Sequence, residues 1–188
     1  ADDDINGSDT VSLGIALTTT GTNNGIKTTN VDNVDDGNTI TISDTGSIET
    51  AGDYAVGIWN VGIGNETTVS GSIKTGDVVA VTGNDAYGIL NEGNGNETTV
   101  SGTGSIETAG NEAYGILNIG AYNKTTVSGS IETTEAGALG IYNIGDNNET
   151  TVSGTGSIKT AGEDAFGIHN KGDDNKTTVS GSIETTGV

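Results

Sequence analysis

The segment Asn96-Glu-Thr-Thr-Val-Ser-Gly-Thr-Gly-Ser-Ile-Glu-Thr108, followed by Ala113-Tyr-Gly-Ile-Leu-Asn118, returns almost unchanged at 148–160 and 165–170. A chain that repeats itself at this length folds as a stack of equivalent units, since one unit alone cannot bury its apolar face. Three apolar columns run through the repeats. The first is Ile42, Val69, Val100, Val127, Val152 and Val179; the second is Ile48, Ile73, Ile106, Ile131, Ile158 and Ile183. The third is Ile58, Ile89, Ile116, Ile141 and Ile168. From the third column to the next first column the step is always 11, as in 58 to 69 and 168 to 179. From first to second it alternates between 6 and 4, because every other repeat carries an extra Thr-Gly or Asp-Thr. The larger period is therefore 52 residues, Val100 to Val152 and Val127 to Val179. One insertion, around Thr75 to Gly83, stretches the second-to-third step from 10 to 16.

Gly, Asn and Asp separate the columns into short strand candidates. In Thr67-Thr-Val-Ser70, period-2 alternation sets Thr67 and Val69 on one face and Thr68 and Ser70 on the other. β-Branched Thr, Val and Ile favour strands, and 32 glycines disfavour helix. Strands this short need neighbours above and below, about 4.8 Å away. The expected fold is all-β: a parallel β-helix or solenoid of about six coils, each of 25–27 residues with three short strands. Its crossovers are expected to be right-handed. Residues 37–188 hold the repeats, and residues 1–36 form a divergent N-terminal segment with the first coil, where Ile15 and Ile26 keep a spacing of 11. Val56, Tyr87, Tyr114, Leu139 and Phe166 share the parity of the third column and are expected to fill the core.

Composition narrows the functional classes. Apolar residues are only 31% of the chain and the formal charge is −20, values that would suit disorder if the apolar residues were scattered. Their strict register argues for a fold. Six Lys against 26 acids, with no Arg, excludes nucleic acid and anionic lipid as partners. Cysteine is absent, so there is no disulfide chemistry. The longest apolar run, Val78-Val-Ala-Val81, is far below the ~20 residues of a membrane span, so no membrane insertion is expected.

In a solenoid each repeated position becomes a column, and function is sought in columns. Asn60, Asn91, Asn118, Asn143 and Asn170 read as an asparagine ladder. Asn65, Asn96, Asn123, Asn148 and Asn175 form another, and each opens an N-x-T sequon, so they are candidate glycosylation sites as well as turn formers. Thr68-x-Ser70 and its equivalents form an outward hydroxyl array of the kind an ice-binding solenoid uses, although Glu66, Glu97, Lys124, Glu149 and Lys176 share that face. Trp59, Leu90, Leu117, Tyr142 and His169 form an outward column, a candidate binding interface unless a loop or the insertion covers it. Asp2-Asp-Asp4 and Asp32, Asp35 and Asp36 are the candidate Ca²⁺ ligands, and neither matches a defined calcium loop. No other cofactor is indicated. His169 is the lone His, no catalytic constellation is visible, and the chain is not expected to be an enzyme.

Units of the form GSIETAGxxAYGIxNxGxxNxTTVSG resemble the β-helical passenger repeats of bacterial autotransporter adhesins and of repeat-rich prokaryotic surface proteins, over residues 37–188. The resemblance implies a secreted, surface-displayed right-handed β-helix and carries over no catalytic residue. The chain stops at Gly181-Ser-Ile-Glu-Thr-Thr-Gly-Val188, two strands into a coil, and Leu13-Gly-Ile-Ala-Leu17 looks like the missing third strand. Val11, Leu13, Ile15, Leu17, Ile183 and Val188 are thus candidate subunit–subunit residues, with 11–17 the inter-subunit strand. The function expected is an extracellular structural protein, a subunit of a head-to-tail fibre or surface stalk. The alternative is an adhesin-type module recognising a host surface or glycan through the Trp59–His169 column, and after that an ice-binding solenoid.

Overall fold

In the computed structural model, residues 4–6, 10–20, 24–29, 37–76 and 84–187 are described. They form three parallel sheets of seven strands each, and every strand pairs with the strand three places away in sequence. The chain thus winds through sheet 1, sheet 2 and sheet 3 and begins again, making about six turns. Sheet 1 holds Asp4–Asn6, Ile26–Thr29, Val56–Val61, Tyr87–Glu92, Tyr114–Ile119, Leu139–Ile144 and Phe166–Lys171. Sheet 2 runs from Thr10–Leu13 and Thr39–Ile42 through Glu66–Val69 and its equivalents to Lys176–Val179. Sheet 3 runs from Ala16–Thr20 and Ser47–Ala51 through Ser72–Thr75 to Ser182–Thr186. The six steps between seven rungs span roughly 29 Å of rod.

The three columns lie in the registers that the spacing demands: Ile58 opposite Ile89, Val69 opposite Val100, Ile73 opposite Ile106. Together with Ile26, Ile40 and their neighbours they make one continuous core. Sheet 2 shows the expected alternation, with Thr67 and Val69 inside and Thr68 half-exposed. The sheet 2–sheet 3 corners are long and short on alternate rungs, and the long ones reach across. Thr45 Oγ1 donates to the Gly14 carbonyl (3.1 Å), Thr155 Oγ1 donates to the Ser128 carbonyl (3.1 Å), and Thr103 Oγ1 meets Asp44 Oδ1 (3.0 Å) two rungs away.

Two expectations change. The first concerns the front of the chain. Leu13 pairs with Ile42, Leu17 with Ile48, and Ile26 with Ile58. The segment 11–17 is therefore no third strand. It turns the corner from sheet 2 to sheet 3 with Ile15 exposed at the bend, and the spacing of 11 between Ile15 and Ile26 marks no column. Asp4–Asn6 begins sheet 1, and among the described residues each sheet has seven strands. Val188 and the insertion 77–83 lie outside the described residues.

The second change is in sheet 1. Val56, Tyr87 and Tyr114 do not fill the core. They pack in a separate cluster with Trp59, Leu90, Leu117, Tyr142 and Ile144 on the outer side of the wall. The cause is the glycine that follows each of them. A Cβ on Gly57 would lie 2.5 Å from Ile73 Cγ2 and 2.6 Å from the Gly88 carbonyl, so Gly57 faces inward. Ile58 also faces inward, fully buried. Two consecutive residues on one face break the period of two, as a bulge does, and everything before Gly57 is reversed.

Candidate functional site

The interior carries a polar ladder beside the aliphatic one. Asn60 Nδ2 donates to Asn91 Oδ1 (2.8 Å), and the chain continues Asn91 to Asn118, Asn118 to Asn143 and Asn143 to Asn170, each at 2.7 Å. Each amide also donates to a threonine of sheet 2: Thr67 (3.0 Å) from Asn60, then Thr98, Thr125 and Thr150 (3.1 Å) from the next three. Thr28 Oγ1 bonds Asn60 Oδ1 at 3.0 Å and leads the series. From Thr28 to Asn170 each rung is thereby tied to the next by a side chain as well as by main chain. Such a ladder tolerates no slip in register.

The second asparagine column is also bonded from rung to rung, although Asn123 Nδ2 is buried without a hydrogen-bond partner. Asn65, Asn96, Asn123 and Asn148 are 1% exposed. Each Oδ1 in this column accepts the main-chain N–H of the asparagine one rung earlier, at 2.8–3.0 Å. The Nδ2 atoms, to which a glycan would be joined, point inward: that of Asn65 to Asn96 Oδ1 (2.9 Å), that of Asn148 to the Gly120 carbonyl (3.0 Å), that of Asn175 to the Gly145 carbonyl (2.9 Å). Four of the five sequon asparagines are thus buried turn-forming groups in the folded coil, and Asn175 on the last rung is half-buried. Asp2 and Asp3, with Asp32, Asp35 and Asp36, lie outside the described residues.

On the outside, sheets 2 and 3 are polar. The column Glu66, Glu97, Lys124, Glu149 and Lys176 is stitched by Lys124–Glu97 (2.7 Å) and Lys176–Glu149 (2.8 Å). The hydrogen bond from Lys176 holds the Glu149 carboxyl below its usual range, and the one to Glu97 raises Lys124. Exposed pairs of this kind are worth little individually. They cross the Thr68–Ser70 hydroxyl face that an ice-binding surface would need clear.

The outer face of sheet 1 is different. The candidate column is split in its exposure: Leu90 and Leu117 are buried (6% and 5%), Trp59 and Tyr142 half-buried, His169 exposed. Among the described residues it is the neighbouring column Val56, Tyr87, Tyr114 that packs against the two leucines, because the bulge turns it outward. The aromatic rings form a row: Tyr87 and Tyr114 stack at 5.2 Å, Tyr114 meets Tyr142 edge-on at 5.6 Å, and Tyr142 stacks on His169 at 4.9 Å. Lys27 Nζ lies 4.5 Å from the centroid of the Trp59 ring, and Trp59 Nε1 donates to Glu92 Oε2 at 2.9 Å.

Burial, and then the carboxylates of Asp85 and Glu112, push the Tyr87 hydroxyl up to about 12, and burial first raises Tyr114 as well. An acid whose folded-state pKa exceeds its unfolded value contributes stability that is complete below the unfolded pKa, near 10. That contribution is lost as the pH rises through the folded pKa. Urea unfolding should accordingly show a constant Tyr87 contribution up to about pH 10 and a loss between pH 10 and 12. A Tyr87→Phe variant should keep a flatter profile across that window, and identical profiles would refute the assignment.

The remaining candidates sit at the ends. Val11, Leu13 and Leu17 are partly buried against the core from the first rung. Val179 and Ile183 are exposed on the last (45% and 38%), as is Phe166 in sheet 1 of that rung (51%). No protein-family model matches the chain, and no curated protein matches it. Among solved structures it is similar to the TibC-catalysed, hyper-glycosylated fragment 55–350 of TibA, at 13% identity over 97% of this chain and 100% of that one, with a TM-score of 0.17. An overlap that poor carries no argument, and the solenoid stands on its strand pairing.

Proposed function

We propose that the chain is an extracellular structural element, a rod segment of a surface stalk or fibre whose rungs continue into those of a neighbouring copy. The observation that carries this reading is the match between the two end rungs. Leu13 belongs to the column that ends at Val179, and Leu17 to the column that ends at Ile183. A copy seated on the last rung would therefore set Leu13 on Val179 and Leu17 on Ile183 while its strands paired with open main chain. The charge of −20 discourages sideways clumping and leaves the ends as the favourable contact. Export to the cell surface is the setting that the likeness to autotransporter passenger repeats supports.

Sedimentation velocity with negative-stain microscopy tests the reading. Purified chain should form rods that lengthen with concentration, each added copy contributing roughly 30 Å. A Val179→Asp, Ile183→Asp double variant should remain a short rod with unchanged far-UV circular dichroism. Wild-type protein that stays at the mass of one chain at millimolar concentration would overturn end-to-end stacking.

A further inference from the structure

The outer face of sheet 1 has the make-up of a contact surface and not of a solvated wall. Outward positions on the other two sheets are Thr, Ser, Glu, Lys and the small Ala, whereas here two columns of aromatic and aliphatic side chains pack on one another, with Ile144 and the exposed Ile119 alongside. Apolar area of this extent on the outside of a rod, bordered by charge, marks an interaction site. The border is mainly acidic, although Lys171 follows Ile144 in its column. The corner leading into sheet 1 carries Asp85, Glu112, Glu163 and Asp164, and the corner leading out carries Asp146 and Asp173. On the first of these corners one turn is small: Ala136-Gly137 stands where the adjacent rungs have Asn111-Glu112 and Glu163-Asp164. The gap is an open notch of about 600 Å³, lined by Tyr114, Glu112, Glu163 and Asp164.

The face also shows how it receives a cation. Lys27 already lies over Trp59, with Glu92 holding the indole N–H. Aromatic faces attract ammonium and guanidinium groups, more strongly when the site is partly desolvated. A second copy of this chain is a poor occupant, because it would bring acidic borders against acidic borders. We propose that the outer face of sheet 1 docks a basic polypeptide, whose apolar side chains cover Ile119 and Ile144 while its lysine or arginine side chains lie along the Tyr87–His169 row and enter the notch beside Tyr114. The proposal is independent of end-to-end stacking, and a rod that never polymerised would still carry the face.

The probe is a dye-labelled peptide of about twelve residues alternating Lys and Val, read by fluorescence anisotropy in roughly 0.15 M salt, where charge is screened beyond about 8 Å. Wild-type chain should bind it and ignore the Glu–Val counterpart. A Glu112→Gln, Glu163→Gln variant should weaken binding about tenfold or more, as should Tyr114→Ala with Tyr142→Ala. Tyr114→Leu, which keeps the bulk on the wall, serves as the folded control for the aromatic contact and should still lose several-fold. Removing the same charge from sheet 3, Glu49→Gln with Glu107→Gln, should change binding less than about twofold. Equal loss from the sheet 3 pair would reduce the effect to bulk attraction and overturn the proposal. So would absence of binding to wild type, binding only of neutral oligosaccharides, or a lateral dimer that Tyr114→Ala dissolves, which would make a second copy the occupant.

Discussion

Gly115→Val is expected to abolish the cooperative unfolding transition, leaving a chain without the parent's strand signal in far-UV circular dichroism. A Cβ at this position would collide with Ile131 Cγ2 and lie 2.6 Å from the carbonyl oxygen of Gly140 on the next rung. Ile131 is a fully buried core residue with nowhere to retreat, and the carbonyl belongs to a strand paired on both sides. Overpacking a close-packed core by a methylene or two costs about 1–3 kcal/mol even where neighbours can yield. Here three carbons arrive against backbone, so relief requires breaking the pairing between rungs. Glycines at the long corners provide the contrast. At Gly102 and Gly154 a Cβ would meet nothing within 4 Å. Gly102→Ala should therefore be neutral or gain up to about 1 kcal/mol through the unfolded chain. If Gly115→Val melted within a few degrees of the parent, the inward-facing bulge would be wrong.

That bulge is also where the sequence misleads. The strict steps of 11 and of 6 or 4 define three columns and a parallel stack, and the pairing follows them residue by residue. Period-2 reasoning then sorts sheet 2 correctly, because its strands are regular. It fails in sheet 1, where Val56-Gly57-Ile58 reads as ordinary alternation and is not. The signal was present: positions 57, 88, 115, 140 and 167 are glycine in every repeat, the mark of a place with no room for a side chain. Missing it places Tyr87 and Tyr114 in the core and halves the apparent width of the outer apolar face.

The front of the chain was legible by the same arithmetic. The step from Leu13 to Leu17 is 4, and it precedes the step of 6 from Ile42 to Ile48, so the corner alternation already reaches the first rung. The likeness of Leu13-Gly-Ile-Ala-Leu17 to a third strand was the weaker signal. Burial of the sequon asparagines was not legible. Asn suits an exposed turn and a buried ladder equally well, and only the stacking geometry decides between them.

Asn118→Leu is expected to cost about 3–6 kcal/mol, a large share of the stability of a domain of this size. Leucine fills a similar space, so the loss is of hydrogen bonds and not of packing. Asn118 accepts from Asn91 and donates to Asn143 and to Thr125, all inside the rod. Its removal orphans one N–H of Asn91, the Asn143 carbonyl oxygen and the Thr125 hydroxyl, each at roughly 1–3 kcal/mol. The opposite sign is expected on sheet 3. The hydroxyl of Thr108 is buried there without a hydrogen-bond partner, like those of Thr50, Thr75, Thr133 and Thr160 in the same column. Thr108→Val should therefore stabilise by about 1 kcal/mol in urea unfolding at constant m-value. The two substitutions are both polar to apolar, both on inward positions, and differ only in whether the removed group was satisfied. Replacing the whole asparagine column with leucine, and its sheet 2 threonines with valine, should cost far less than the sum of the single changes, since no partner is then left unpaired. A column-wide replacement as costly as that sum would show that the ladder acts through something other than mutual satisfaction.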